Sequence, residues 1–284
     1  MTFMEEYYSR PNVQTEIYEF CKGRWVALHC VNESGKLVFR RYAERKPIKV
    51  DDSRNLLKFL KNCKTRSIYA TANVYGVIRR FEDVYDISNI RYCTPTWDID
   101  STISNWQKTV TIAKEIVFFL NSQGIEKSTY IKWSGNGCHV HIHEKAFSKT
   151  LLEKYHPLDL AYSLVEYVNS KLALRFLEMS SGEIAVENKM DPTRVFTCPL
   201  SLHRELDAVC ICMKPEQLDD FTLDWINPQN FRHNTSWRDF RTGEIDELAE
   251  RAYKSIGGYS AYSKRRHKKT KPIDKQIMEW LEKD

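Results

Sequence analysis

Apolar and polar positions alternate in short runs along the first third of the chain. Residues 24–30 (RWVALHC) and 36–42 (KLVFRRY) have the composition of strands, and the turn residues NESG at 32–35 between them predict a hairpin. A helix is predicted around 53–62, then β-like runs at 67–72 (SIYATA) and 92–100 (YCTPTWDID). Trp106, Val110, Ala113, Val117 and Leu120 recur every three or four positions, the stripe of an amphipathic helix, and Gly124 stands where such a helix ends. Residues 129–133 and 138–144 read as two strands joined by the tight turn SGNG at 134–137. A longer helix is predicted from about 157 to 177. Pro157 suits its first turn, and Leu158, Ala161, Val165, Val168 and Leu172 share one face. Residues 183–190 and 209–213 read as further strands. Helices and strands mix without a strict βαβ repeat, so the predicted fold class is α+β, with mixed or antiparallel sheets flanked by helices.

Composition narrows the function. The 284 residues are 42% hydrophobic and 29% charged, enough apolar content for a large core and too much for a disordered chain. No apolar run approaches the ~18–20 residues of a membrane span. The opening MTFMEEYYSRP carries acids where a secretory leader would carry cations, so a cytoplasmic protein, associated with nucleoid or replicon, is expected. The net charge of +5 is concentrated in KRRHKKTK at 264–271, six cations without an acid. The rest of the chain is slightly acidic. Any nucleic-acid surface is then a local patch beside an acidic site, plus a basic tail whose Lys264, Arg265, Arg266, Lys268 and Lys269 suit phosphate backbone or a solvated linker equally. Residues 273–283 follow as a short amphipathic helix. One domain over 1–258 and a basic linker with its helix over 259–284 is the expected organisation. The eight cysteines form no CxxC pair, so structural zinc is not expected, and reduced, buried thiols are.

Three stretches carry candidate chemistry. In Asp98-Ile99-Asp100 the two carboxylates share one strand face, with Cα atoms about 6.6–6.8 Å apart. Both stay ionised there if a cation lies between them, and oxygen-only ligation favours Mg²⁺ or Mn²⁺ over zinc. The same pair suits a solvated surface, but Trp97 and Ile99 favour a strand end opening into a cleft. The loop SGNGCH at 134–139 has two glycines that let backbone N–H groups approach an anion, with Ser134, Asn136 and His139 as further donors. An ordinary hairpin turn has the same residues, and neither standard phosphate-loop motif occurs. His139, His141 and His143 alternate along one strand without requiring a shared role. The third stretch, KMDPTRVFTCPLSLHR at 189–204, offers Asp191 for a metal and Arg194, His203 and Arg204 for a polyphosphate. Phe231, Trp237 and Phe240 lie among Arg232, His233, Arg238 and Arg241. That mixture suits single-strand stacking or a small core, with the core favoured.

Taken in order, these stretches resemble the archaeo-eukaryotic primase superfamily, its small catalytic subunit and the plasmid or viral primase-polymerases, over roughly residues 5–240. Tyr7-Tyr8-Ser9 and SIYATANVY at 67–75 look like its opening segments, WDIDS at 97–101 like its first motif and SGNGCH like its second. Asp191 with PLSLH at 199–203 looks like its third. The resemblance implies a template-directed nucleotidyltransferase that makes or extends primers. Asp98, Asp100 and Asp191 would hold two Mg²⁺ or Mn²⁺ ions. Ser134, Asn136, His139 and His203 would contact the incoming triphosphate, with Arg194 and Arg204 as neighbouring cations. It implies a single-stranded DNA template and NTP or dNTP as partners, leaves room for a large primase subunit or a helicase, and implies no membrane. The second-motif loop is one residue shorter than the usual form, and Thr197 stands where the family commonly places Lys or Arg. Those losses also suit a non-catalytic nucleic-acid-binding subunit with a degenerate site. The same acids would serve a metal-dependent nuclease.

Overall fold

The computed structural model describes residues 2–50, 52, 56, 59, 60, 62–180 and 184–260. Two helices, α1 (Phe3–Tyr8) and α2 (Pro11–Cys21), lead into the hairpin β1 (Val26–Val31) and β2 (Leu37–Arg40). Short β3 (Tyr42–Ala43) and β4 (Lys46–Pro47) follow, then β5 (Thr65–Thr71), β6 (Asn73–Tyr75), β7 (Ile90–Cys93) and β8 (Thr96–Asp100). Helix α3 (Trp106–Ser122) precedes the second hairpin, β9 (Thr129–Trp133) and β10 (Cys138–Ile142). Helices α4 (Lys149–Lys154) and α5 (Pro157–Ser180) come next, then β11 (Ala185–Glu187), β12 (Val195–Thr197), β13 (Ile211–Met213) and helix α6 (Asp246–Ile256).

The strands form two antiparallel sheets, ordered β12-β5-β1-β2 and β11-β8-β10-β9-β13, and two short pairs, β3-β4 and β6-β7. This is the α+β class the sequence pattern predicts. The run at 92–100 is two strands rather than one, because Pro95 lacks the N–H that would continue the ladder. Helices α1 and α2 add to the sequence expectation. Thr2 and Glu5 form a reciprocal capping box on the first, and Pro11 opens the second. Their Tyr7, Tyr8, Val13, Ile17 and Phe20 are buried. The helix at 53–62 falls largely outside the described residues, as do the basic run at 264–271 and the helix at 273–283.

Helix α3 buries Val110, Ile112, Ala113, Ile116, Val117 and Leu120, and α5 buries Leu158, Leu160, Ala161, Leu164, Val165, Val168 and Leu172. The two helices pack on each other and on the second sheet. Gly124 ends α3's turn with φ +77°, a conformation costly for other residues. Between the sheets, Phe196 of β12 packs against His139 and His141 of β10. Arg24, just before β1, reaches Glu144, just after β10, at 3.0 Å. Burial raises that carboxyl, but the guanidinium prevails and brings it down to about 2. The segment 231–241 serves the core. Trp237 is buried on Phe20, Phe231 packs on Tyr7, and His233 and Arg238 both pair with Glu16. None of the eight cysteines is in a disulfide, and seven are buried. Among the described residues no helix is long and apolar enough to cross a membrane.

Candidate active site

Strand register brings the chemistry together. Across the second sheet Glu187 opposes Asp98, Asp98 opposes His139, His139 opposes Lys132 and Lys132 opposes Cys212. Directly opposed residues share a face, so these five form one row crossing all five strands. Side-chain exposure falls along it, from 50% at Glu187 to 10% at Asp98 and 9% at His139, and Lys132 is fully buried. The row is open at its acidic end and sealed at the other.

At the open end Asp98 divides its two oxygens. His139 Nε2 donates to Oδ1 at 3.0 Å, and Lys189 Nζ approaches Oδ2 at 2.9 Å. The same ammonium reaches Glu187 Oε2 at 2.9 Å and also contacts Asp100. Burial pulls the Asp98 carboxyl upward, but His139 and Lys189 outweigh it and hold it well below the usual carboxylate range. Burial likewise pulls Lys189 down, and its three carboxylates carry it above the ordinary lysine value. The bond from Lys189 lowers Glu187 in turn.

Asp191 makes its contacts elsewhere. It lies beyond the end of β11, in a turn where its Oδ1 accepts from the Thr193 N–H at 2.7 Å and hydroxyl at 3.1 Å, and its Oδ2 pairs with Arg194 at 3.2 Å. Arg194 Nε also donates to the Lys189 carbonyl at 3.0 Å, which ties this turn to the acid cluster through the backbone. The third carboxylate at Lys189 is Glu187, which the sequence reading did not single out. A strand-borne acid four residues before Asp191 was the available signal.

The loop 134–137 is shaped by contacts that leave no room for a side chain at either glycine. Gly135 has φ +115°, and a Cβ there would stand 2.6 Å from the His203 ring. A Cβ on Gly137 would stand 2.7 Å from the Ile99 carbonyl oxygen. Ser134 N–H donates to Gly137 O at 3.0 Å, and Trp133 Nε1 donates to Gly135 O at 2.8 Å. Ser134 and Asn136 are half-buried here. His203 is held over the loop by Arg66, which donates to the carbonyls of His203 and Leu206 at 3.0 and 2.7 Å. Its Nδ1 accepts from the N–H groups of Glu205 and Leu206, which leaves Nε2 to carry the proton of the neutral ring. Burial, and then Arg204, lower its pKa. Arg204 itself is exposed and pairs with Glu205 at 3.5 Å.

The three alternating histidines have three roles. His139 serves Asp98. His141 Nδ1 meets the Thr96 hydroxyl at 2.8 Å while its ring stacks on Tyr130, and burial pushes it well below the ordinary histidine range. His143 Nδ1 accepts from the Lys145 N–H, and its ring stacks on Phe240. Among the described residues no three His, Cys, Asp or Glu side chains stand ready to share a metal ion. At Asp98, Asp100 and Glu187 the centre is held by the ammonium of Lys189.

Two antiparallel sheets flanked by helices, with Asp98 and Asp100 on a strand inside the second, make this a mixed α+β fold. Among solved structures it is similar to the polymerase domain of Mycobacterium tuberculosis Ligase D, a structure in complex with DNA. The TM-score is 0.55 over 90% of this chain and 89% of that one, at 14% sequence identity. No protein-family model matches the chain, and no curated protein matches it in sequence.

Proposed function

We propose that this chain is a nucleotidyltransferase that adds nucleotides to a primer, or begins one, on a single-stranded DNA template. The observation that carries the reading is the convergence of Asp98, Asp100 and Glu187 on one cationic centre, at the open end of the row and beside a glycine loop closed by His203. An all-oxygen set that already encloses a cation suits Mg²⁺ or Mn²⁺. Such ions, when bound, would offset phosphate charge and make a 3′-hydroxyl easier to deprotonate.

The chain's own groups divide the remaining work. His139 fixes the rotamer of Asp98 and so aims its second oxygen at the centre. Lys189 keeps the three acids together and must withdraw when a divalent cation enters; once withdrawn it is a cation beside the phosphates. Backbone N–H groups of the loop, Ser134, Asn136 and the Nε2–H of His203 form a donor set for a triphosphate. Arg194 and Arg204 supply further positive charge. Asp191 positions Arg194 and holds its turn, a role distinct from that of the three acids around Lys189.

The test is an extension assay with single-stranded DNA, labelled nucleotides and Mg²⁺ or Mn²⁺, with and without a primer. Product is expected from the wild-type chain. Asp98→Ala and Asp100→Ala should each lose about a thousandfold or more in rate while staying folded, with Asp98→Ala melting lower for its lost bonds to His139 and Lys189. Digestion of DNA without nucleotides would replace the reading by a nuclease. Absence of both product and metal binding would replace it by a nucleic-acid-binding subunit.

A further inference from the structure

Away from the acid cluster, three aromatic rings lie against one another on the surface. Tyr42 and Phe81 are stacked, with centroids 5.9 Å apart and planes at 24°, and Phe81 and Tyr85 lie 4.6 Å apart at 32°. Trp25, fully buried, supports Tyr42 and Tyr85 edge-on from beneath, at 5.4 and 5.7 Å. Phe81 nonetheless stays 53% exposed and Tyr85 48%.

The loop that carries these rings is internally braced. Asp83 Oδ2 accepts from the N–H groups of Arg79 and Arg80 at 2.7 and 2.9 Å. Asn89 Nδ2 donates to the carbonyls of Val77 and Asp83, both at 2.7 Å. A braced loop that holds an apolar ring in water is a surface prepared for a partner.

The surroundings indicate what that partner is. Beside the rings lies a cavity of about 730 Å³ whose described lining includes Lys46, Lys49, Arg79 and Arg80 against one acid, Glu44. Lys46, Arg79 and Arg80 are exposed. Glu82 and Asp83 lie between Phe81 and Tyr85 and Asp86 follows them, but Asp83 and Asp86 are engaged with backbone N–H groups. The platform also reaches the candidate site through a single side chain. Arg41 lies over Trp25 at 3.4 Å from the ring centre and donates to the Thr193 carbonyl at 2.9 Å, next to Asp191 and Arg194. Half-exposed rings already lying near-parallel to one another, flanked by cations and linked to the candidate site, match a polyanion whose bases are unpaired and can extend the stack. Duplex bases are already stacked on each other and cannot use such a platform.

We infer that Phe81, Tyr85 and Tyr42 form a stacking platform for unpaired bases of a single-stranded nucleic acid, with Lys46, Arg79 and Arg80 tracking its phosphates. The inference rests on the template-directed reading above, for which it supplies the path of the strand.

The test is fluorescence anisotropy of the full chain with a dye-labelled oligothymidine and with a duplex of equal length, without metal or nucleotide. Phe81→Leu with Tyr85→Leu keeps apolar bulk and removes the rings. It should weaken single-strand binding by about tenfold and leave duplex binding and the thermal melt unchanged. Arg79→Gln with Arg80→Gln should weaken both ligands and flatten the salt dependence. Unchanged single-strand binding in the leucine variant, or equal weakening for strand and duplex, would overturn the platform. Binding needs no catalysis, so an inactive chain that still loses oligothymidine affinity in this variant would sink the catalytic reading and leave the platform standing.

Discussion

Two lysines stand near opposite ends of the same row of side chains, and they could hardly differ more. Lys189 is partly exposed and holds three carboxylates; Lys132 is fully buried and its Nζ has no hydrogen-bond partner. The second rests between Phe20 and Phe196, 4.7 and 5.6 Å from their ring centres, with Cys198, Cys210 and Cys212 around it. Burial lowers its pKa, whereas the carboxylates raise that of Lys189. One sheet can therefore present charge at one end of a row and suppress it at the other. Register places the groups, and access to water and counter-charge decides what each becomes.

The largest effect expected from breaking this contrast is at the open end. Glu187→Gln should weaken Mn²⁺ binding, followed by titration calorimetry, by at least the tenfold or so that even outer-shell losses bring. Asp191→Asn should leave that affinity within about twofold. A reversed ranking would put Asp191, not Glu187, with Asp98 and Asp100.

Next comes the cation itself. Lys189→Met strips three carboxylates of their counter-charge, and in chelator at pH 7 it should cost about 1–2 kcal/mol in a denaturant melt. Adding Mn²⁺ should restore more stability to this variant than to the wild type, because no ammonium competes for the centre. An equal response would mean that Lys189 does not occupy the ion's position.

The smallest effect belongs to Lys132. Lys132→Met removes a charge that already has no partner, so its stability should equal or exceed that of the wild type by about 1 kcal/mol at pH 7. The pH dependences of the two lysines should oppose each other. A lysine whose folded pKa is depressed binds fewer protons folded than unfolded, so its penalty fades as pH rises towards the ordinary value of about 10.4. The advantage of Lys132→Met should shrink over that range. Lys189, with its folded pKa raised, contributes fully below about 10.4 and loses its contribution only above it. Melts of the variants from pH 7 to 11 read both slopes.

How far the sequence disclosed this site depended on how local each signal was. Asp98 and Asp100, the glycine loop and His203 are legible because each depends on neighbours in the chain. Trp97 and Ile99 flank the acids and the two glycines stand in one short turn, although what requires them, His203 and Ile99, is distant in the chain. Glu187 had only the weak signal of an acid on a strand, since its value comes from lying opposite Asp98, a matter of register between strands distant in sequence. Lys132 was not singled out for a related reason. In TYIKW it takes a position that alternation would turn to solvent, yet all five residues of β9 are buried because the strand is covered on both faces. Asp191 was legible as an acid at a strand end, but its bonds to Thr193 and its pairing with Arg194 belong to a turn that the sequence pattern does not spell out. The fold class was readable from periodicity, whereas the splitting of 92–100 by Pro95 and the two N-terminal helices depended on caps and breakers one residue long.

The return of β12 to the first sheet also orders events in time. β5 pairs along one edge with β1 at once, but its other edge is completed only when Val195 meets Thr71. During synthesis that edge waits, on the order of ten seconds at ordinary translation rates, until the whole second hairpin and α5 have emerged. A nascent chain halted before β12 would carry an open strand edge, the kind of surface that chaperones protect and that neighbouring chains can join. The acid cluster around Lys189 and the closing of that edge are therefore finished by the same stretch of chain, residues 185–197.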